Sequence, residues 1–130
     1  MRTLRGCEHS KRLYFGHDSL EAVIAALKAG AESDSFAADT LKGMLTRSPM
    51  SMAIACEQVK RGGAMDFKAV MVMEFRIVSR IVFDNDFYEG VRALIIDKDN
   101  KPVWNPATIE AIDKAAVAAH FAPLPADLTF

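Results

Sequence analysis

The run Asp97-Lys98-Asp99-Asn100-Lys101 sets carboxylates beside ammonium groups and an amide. Its acids suggest a calcium loop. An EF-hand loop needs Gly at its sixth position and a bidentate Glu at its twelfth. Counted from Asp97, those positions hold Pro102 and Thr108. A solvated polar turn is the expectation, and no metal is assigned. Arg92, Lys98 and Lys101 gather around the same turn and have the charge to meet a phosphate. The chain has no P-loop and no G-x-G-x-x-G, so a turn open to water remains the simpler reading of these cations.

Other chemically capable residues are scattered. His9, His17 and His120 have no Cys or His at ligand spacing, and each reads as a surface or half-buried side chain. Cys7 lies near His9, but a Cys–His pair is assembled by a fold and not by adjacency in sequence. Cys56 falls on the apolar face of a helical pattern and reads as core. Glu74 interrupts an apolar stretch with Arg76 and Arg80 nearby, which suggests an ion pair before a proton-transfer group. Glu89 is explained by a helix-capping role in Asp86-Phe87-Tyr88-Glu89. No catalytic residue and no cofactor site emerge.

The elements that must position these residues read as helices. Asp18-Ser19-Leu20-Glu21 forms a capping box, followed by Leu20, Val23, Ile24 and Leu27 on one face, with Gly30 suited to a left-handed stop. Ala37, Leu41, Met44 and Leu45 stripe a second helix over about 35–46. Ser48-Pro49 starts a third, with Ser48 as cap and Pro49 at its first position. Met52, Ala53, Cys56 and Val59 form its inner face, and Gly62-Gly63 ends it.

A fourth helix runs over about 66–83. From Phe67 to Phe83, 12 of 17 residues are apolar, so this helix needs cover on most sides. Asp86 opens a fifth helix, with a short strand at 93–96 as the rival because β-branched residues cluster there. Asn105-Pro106 opens a last helix over about 107–120, with Ile109, Ile112 and Ala116 inward. Ala122-Pro123-Leu124-Pro125 cannot continue it.

The expected fold is therefore all-α, with about six short helices. Residues 1–17 form an extended lead-in, 18–121 a helical module and 122–130 an extended tail. Composition agrees. The chain has 130 residues, enough for one core without staples. Its 16 Lys and Arg balance 17 Asp and Glu, which argues against a dedicated nucleic-acid or anionic-membrane binder. Two cysteines are too few for a disulfide framework, and no apolar run spans a membrane. The opening residues lack the apolar core of a secretion signal, so a reducing cytoplasm is the default.

A set of motifs occurs in order along the chain: Ser48-Pro49-x-Ser51, Met73-Glu74-Phe75-Arg76, Asp86-Phe87-Tyr88-Glu89-Gly90-Val91-Arg92-Ala93, Ile96-Asp97-Lys98-Asp99 and Pro102-x-Trp104-x-Pro106. From about Tyr14 to Phe121 the chain resembles the C-terminal third of the 3-hydroxyisobutyryl-CoA hydrolases. These belong to the enoyl-CoA hydratase/isomerase (crotonase) superfamily. The resemblance implies an acyl-CoA thioesterase of valine breakdown, longer than this chain, whose ββα spiral carries the oxyanion donors and catalytic acids.

No spiral pattern is present here, so no catalytic residue carries over and the chain alone is expected to be silent. Lys98 is the nearest match to a lysine that approaches the adenosine end of CoA in related hydratases, one residue further from Glu89. CoA enters as part of the thioester substrate and not as a cofactor. The implied partner is the missing spiral or a second copy of the chain, so self-association is expected. Two alternatives remain: a non-enzymatic helical assembly module, and a fragment of an enoyl-CoA hydratase or isomerase, against which the Asp97–Trp104 stretch argues.

Overall fold

A computed structural model describes residues 12–130. Cys7 and His9 lie outside the described residues. The described chain falls into two compact units that meet in sequence at Arg47 and Ser48. Among the described residues there is no strand, and the fold is all-α.

The first unit pairs α1 (Leu20–Gly30) with α2 (Ser35–Met44). Ser19 caps α1 by accepting from the Ala22 N–H, one residue later than the Asp18 expected. Leu20, Val23, Ile24 and Leu27 are all buried, as their spacing implies. Asp34 caps α2, accepting from the Phe36 N–H at 2.9 Å and from the Tyr14 hydroxyl at 3.3 Å. Tyr14 stacks on Phe36 and joins Val23, Leu27 and Ala37 in the core.

Two expectations for this unit need correction. Residues 12–15 make a helical turn and not an extended lead-in. Gly30 is not left-handed, since among the described residues no glycine has positive φ, and the cap at Ala31 is right-handed. A Cβ at Gly30 would instead collide with the Tyr14 ring, and that close approach is what requires glycine.

The second unit contains α3 (Pro49–Gly62), α4 (Phe67–Ile81), α5 (Asn85–Val91), a π-helical turn (Arg92–Ile96), a 3₁₀ turn (Ile109–Ala111) and α6 (Lys114–Ala119). Ser48 and Pro49 start α3 as expected, with Ser48 Oγ accepting from the Ser51 N–H. Asp66 caps α4 through the Ala69 N–H.

The core joins Ile54, Met73, Ile77, Val117 and Phe121, with Met50, Ala53, Ile81 and Ile112 packed against it. This rotates the inner face of α3 from the one expected. Ile54 is buried, Cys56 is half-buried, and Val59 is 77% exposed. In α4, Met73 and Ile77 face inward, while Phe67 (75%) and Val78 (50%) remain exposed.

The segment 93–96 forms a turn of π-helix and not a strand. The Asp97 N–H reaches the Arg92 carbonyl at 2.8 Å. The last helix is shorter than its apolar pattern implied. Backbone at Thr108 and Ile112 is extended, and the Asp113 side chain offers a fresh cap to the Ala115 N–H. Arg80 holds the non-helical tail through the carbonyls of His120 and Pro123.

Candidate functional site

The residues with chemical potential gather where α5 passes into the π-helical turn and the loop after it. Helix α5 begins two residues earlier than its capping-box pattern suggests. Asp84 stands at the N-cap without capping by its side chain, because its carboxylate meets His120 Nε2 at 2.6 Å. His120 is buried, and its Nδ1 lies 2.9 Å from the Ala116 carbonyl. It therefore joins α6 to the start of α5 and is not a surface side chain.

Asp86 and Glu89 do not form a capping box. Asp86 is buried inside α5, where it accepts the Ser48 hydroxyl at 2.5 Å and the Asn105 N–H at 2.8 Å. Each of these groups needs a partner once water is excluded. Glu89 accepts two N–H bonds from Arg92, at 2.9 and 2.7 Å, and the Val103 N–H at 2.8 Å. Gly90, next in the helix, faces Trp104, whose ring a Cβ would meet at 3.5 Å.

Arg92 organises the loop. Its Nε and one terminal nitrogen make the fork onto Glu89. The other terminal nitrogen donates to Asp97 at 2.7 Å and to Asp99 at 2.8 Å. The fifth N–H reaches the Lys101 carbonyl at 3.2 Å. All five guanidinium donors are used, a pattern that only a planar fork can make.

The titration behaviour follows from these bonds. The fork from Arg92, helped by the Val103 N–H, pushes the Glu89 carboxyl down to about 2. Arg92, then the Lys101 N–H, holds Asp99 below the ordinary carboxylate range. The bonds to Glu89, then to Asp99 and Asp97, raise Arg92 itself. Glu89 is thus a fixed anion near neutral pH and no reservoir of protons.

Lys98 lies on this loop, exposed and with a positive φ of 55°. Asn100 shares that φ, and its N–H returns to the Ala93 carbonyl at 3.0 Å. Arg92, Lys98 and Lys101 therefore do lie together, but Arg92 is spent on carboxylates. Among the described residues no group of three or more His, Cys, Asp or Glu is placed to hold a metal ion.

Glu74 bonds to the amide of Gln58 and not to the arginines near it in sequence. Arg76 instead pairs with Asp127. The bonds from Arg76 hold Asp127 below its usual range. Sequence reasoning missed Asp86, Asp84 and Asp127, whose partners lie 19 to 51 residues away. An acid at the second position of a helix was the one local signal for Asp86, and it was absorbed by the capping reading.

Clefts open on this unit. One of about 290 Å³ is lined by Arg61, Met65, Val72, Met73, Arg76 and Phe121, with the Arg61 guanidinium 4.2 Å from the Phe121 ring centre. Another of about 210 Å³ is lined by Ser51, Ile81, Asp84, Asn85, Asp86 and Asn105.

This arrangement can be set beside known proteins. The sequence model of the enoyl-CoA hydratase/isomerase family matches residues 8–121. The chain belongs to that family. It is 39% identical over 111 residues to the mitochondrial 3-hydroxyisobutyryl-CoA hydrolase of Dictyostelium discoideum, covering 85% of this chain and 29% of that protein. It is 35% identical over 119 residues to the enzyme of the same name from Gallus gallus, covering 90% and 30%. Among solved structures, an enoyl-CoA hydratase from Rhodobacter sphaeroides superposes with a TM-score of 0.87 at 33% identity, over 98% of this chain and 37% of that one.

The chain thus spans about 30% of the length of these curated relatives. The matches establish the family, not the C-terminal position within a longer chain that the motif order implied. Those hydrolases are named as mitochondrial, which departs from the cytoplasmic expectation. Among the described residues no helix is long and apolar enough to cross a membrane.

Proposed function

We propose that this chain is the helical portion of an acyl-CoA thioester hydrolase acting on 3-hydroxyisobutyryl-CoA in valine catabolism. In this reading it covers the CoA site, packs against the remainder of the enzyme or a second copy, and has no turnover alone. Lys98 meets the nucleotide end of the acyl-CoA. No resident cofactor is needed, because CoA arrives as part of the substrate. The observation that carries the reading is one of proportion. Nearly the whole chain matches less than a third of proteins named as that hydrolase, while helix α4 leaves Phe67 and Val78 exposed. Apolar patches of that kind mark surfaces that another surface covers.

The test compares two preparations: the 130-residue chain, and the native polypeptide that carries this sequence, purified from its source cells. The expected result is saturable hydrolysis of 3-hydroxyisobutyryl-CoA by a polypeptide about three times longer and none by the chain. Saturable turnover by the chain itself overturns its silence. Hydration of an enoyl-CoA in place of thioester hydrolysis by the longer polypeptide favours the second reading, a hydratase portion. That reading is supported by the superposition on a hydratase. A concentration-independent monomer in sedimentation velocity removes the self-association.

A further inference from the structure

Lys98 stands between two aspartates, Asp97 and Asp99. In an unstructured peptide an ammonium so flanked spends part of its time against a neighbouring carboxylate. Here it does not. Both carboxylates turn to one terminal nitrogen of Arg92, at 2.7 and 2.8 Å. Among the described residues the Lys98 side chain has no hydrogen-bond or ion-pair partner, and it is exposed. The backbone repeats the arrangement. Lys98 and Asn100 are left-handed, and the loop is tied by the Asn100 N–H to Ala93, the Lys101 N–H to Asp99, and the Lys101 carbonyl to Arg92. Left-handed backbone at two non-glycine residues persists where surrounding bonds over-determine it.

We propose that Arg92 is a positioning residue for Lys98: by taking the carboxylates of both its neighbours, it leaves the Lys98 ammonium available to the phosphates of an acyl-CoA. This rests on the reading in which Lys98 meets the nucleotide end of that ligand. Arg92 does not touch the ligand, since all five of its donors are engaged. The three carboxylates of the hub outnumber the guanidinium, so the loop as a whole attracts anions only weakly. The gain is one unpaired, placed ammonium, about fivefold in affinity for an exposed pair.

Two measurements on the 130-residue chain test this. The first is titration with CoA, using pantetheine as the phosphate-free control. Lys98→Ala and Arg92→Gln each weaken CoA about fivefold, the double variant is no weaker than either, and pantetheine is unaffected. Adding Asp97→Asn and Asp99→Asn to Arg92→Gln restores CoA binding, because neither acid that flanks Lys98 is left to capture it. A merely structural role for Arg92 predicts no such rescue. The second needs no ligand. Trace labelling with acetic anhydride, read by mass spectrometry against exposed Lys42, slows at Lys98 in Arg92→Gln and recovers in the triple variant.

Unchanged labelling of Lys98 in Arg92→Gln overturns the role of Arg92, whatever the ligand. Loss of CoA affinity in Lys98→Ala with none in Arg92→Gln overturns it too and leaves the Lys98 contact standing. Binding of CoA that ignores Lys98→Ala, or no CoA binding at all, removes the acyl-CoA reading of Lys98 and this proposal with it. The labelling result then still reports whether Arg92 keeps the two acids away.

Discussion

The core between α3, α4 and α6 and the arm from Asn85 to Val103 are built on opposite principles. The core is held by Ile54, Met73, Ile77, Val117 and Phe121, where any apolar neighbour of suitable shape serves. In the arm, Leu94, Ile95, Ile96 and Val103 are exposed, and its path is set by hydrogen bonds on Asp86, Glu89 and Arg92. Apolar packing tolerates exchange. A charge hub demands particular atoms at particular places, and the loss of one frees the others to find different partners. The contrast teaches where a small unit can carry a presented loop: the core supplies stability, and the hub supplies shape.

The largest break falls on the core. Ile54→Ala removes a side chain that is 2% exposed and should cost about 2–5 kcal/mol, read by urea unfolding at constant slope. Phe75 is only half-buried, so its truncation should cost less than the same change at a filled core position. A loss at Ile54 below that of Phe75→Ala would move the centre of the core.

Next comes the join between core and arm. Asp86→Ala strands the buried Ser48 hydroxyl and the Asn105 N–H, for about 1–3 kcal/mol in the same assay. Retained stability would mean that water replaces the carboxylate.

Acid sharpens the comparison further. The Glu89 carboxyl is lowered from about 4.5 to about 2. Its contribution is therefore complete above pH about 4.5 and is lost as pH falls through about 2. Glu89→Gln should flatten the acid limb of the stability curve across that window, while Ile54→Ala lowers the curve without changing its shape. An identical acid limb in Glu89→Gln would place the arm outside the cooperative unit. Smallest of all is Val59→Ala, within about 0.5 kcal/mol of zero because Val59 projects into solvent. A larger loss would return Val59 to the inner face that the sequence pattern Met52, Ala53, Cys56 and Val59 assigned to it.

Much of the helical architecture was legible because its signals are local. The stripe Leu20, Val23, Ile24 and Leu27 is buried along its whole length, and Ser48-Pro49 starts α3. The face of α3 was misread because Cys56 and Val59 fit a helical period as well as Met50, Ala53 and Ile54 do, and periodicity alone does not choose between neighbouring faces. The last helix was overextended because Ile109, Ile112 and Ala116 fit a helical period, while Ile112 is extended and packs against the core.

By itself the sequence determined the helical class, the buried stripe of α1, the start of α3 and the motif order that points to the family, since each depends on neighbours within a turn or two. Only the tertiary structure decided what the acids do. Asp86 finds Ser48 38 residues away, Asp84 finds His120 at 36 and Arg76 finds Asp127 at 51. A carboxylate can cap a helix, pair with a cation or bind a loop N–H with the same two oxygens. Its choice is made by whichever donor the fold brings within 3 Å.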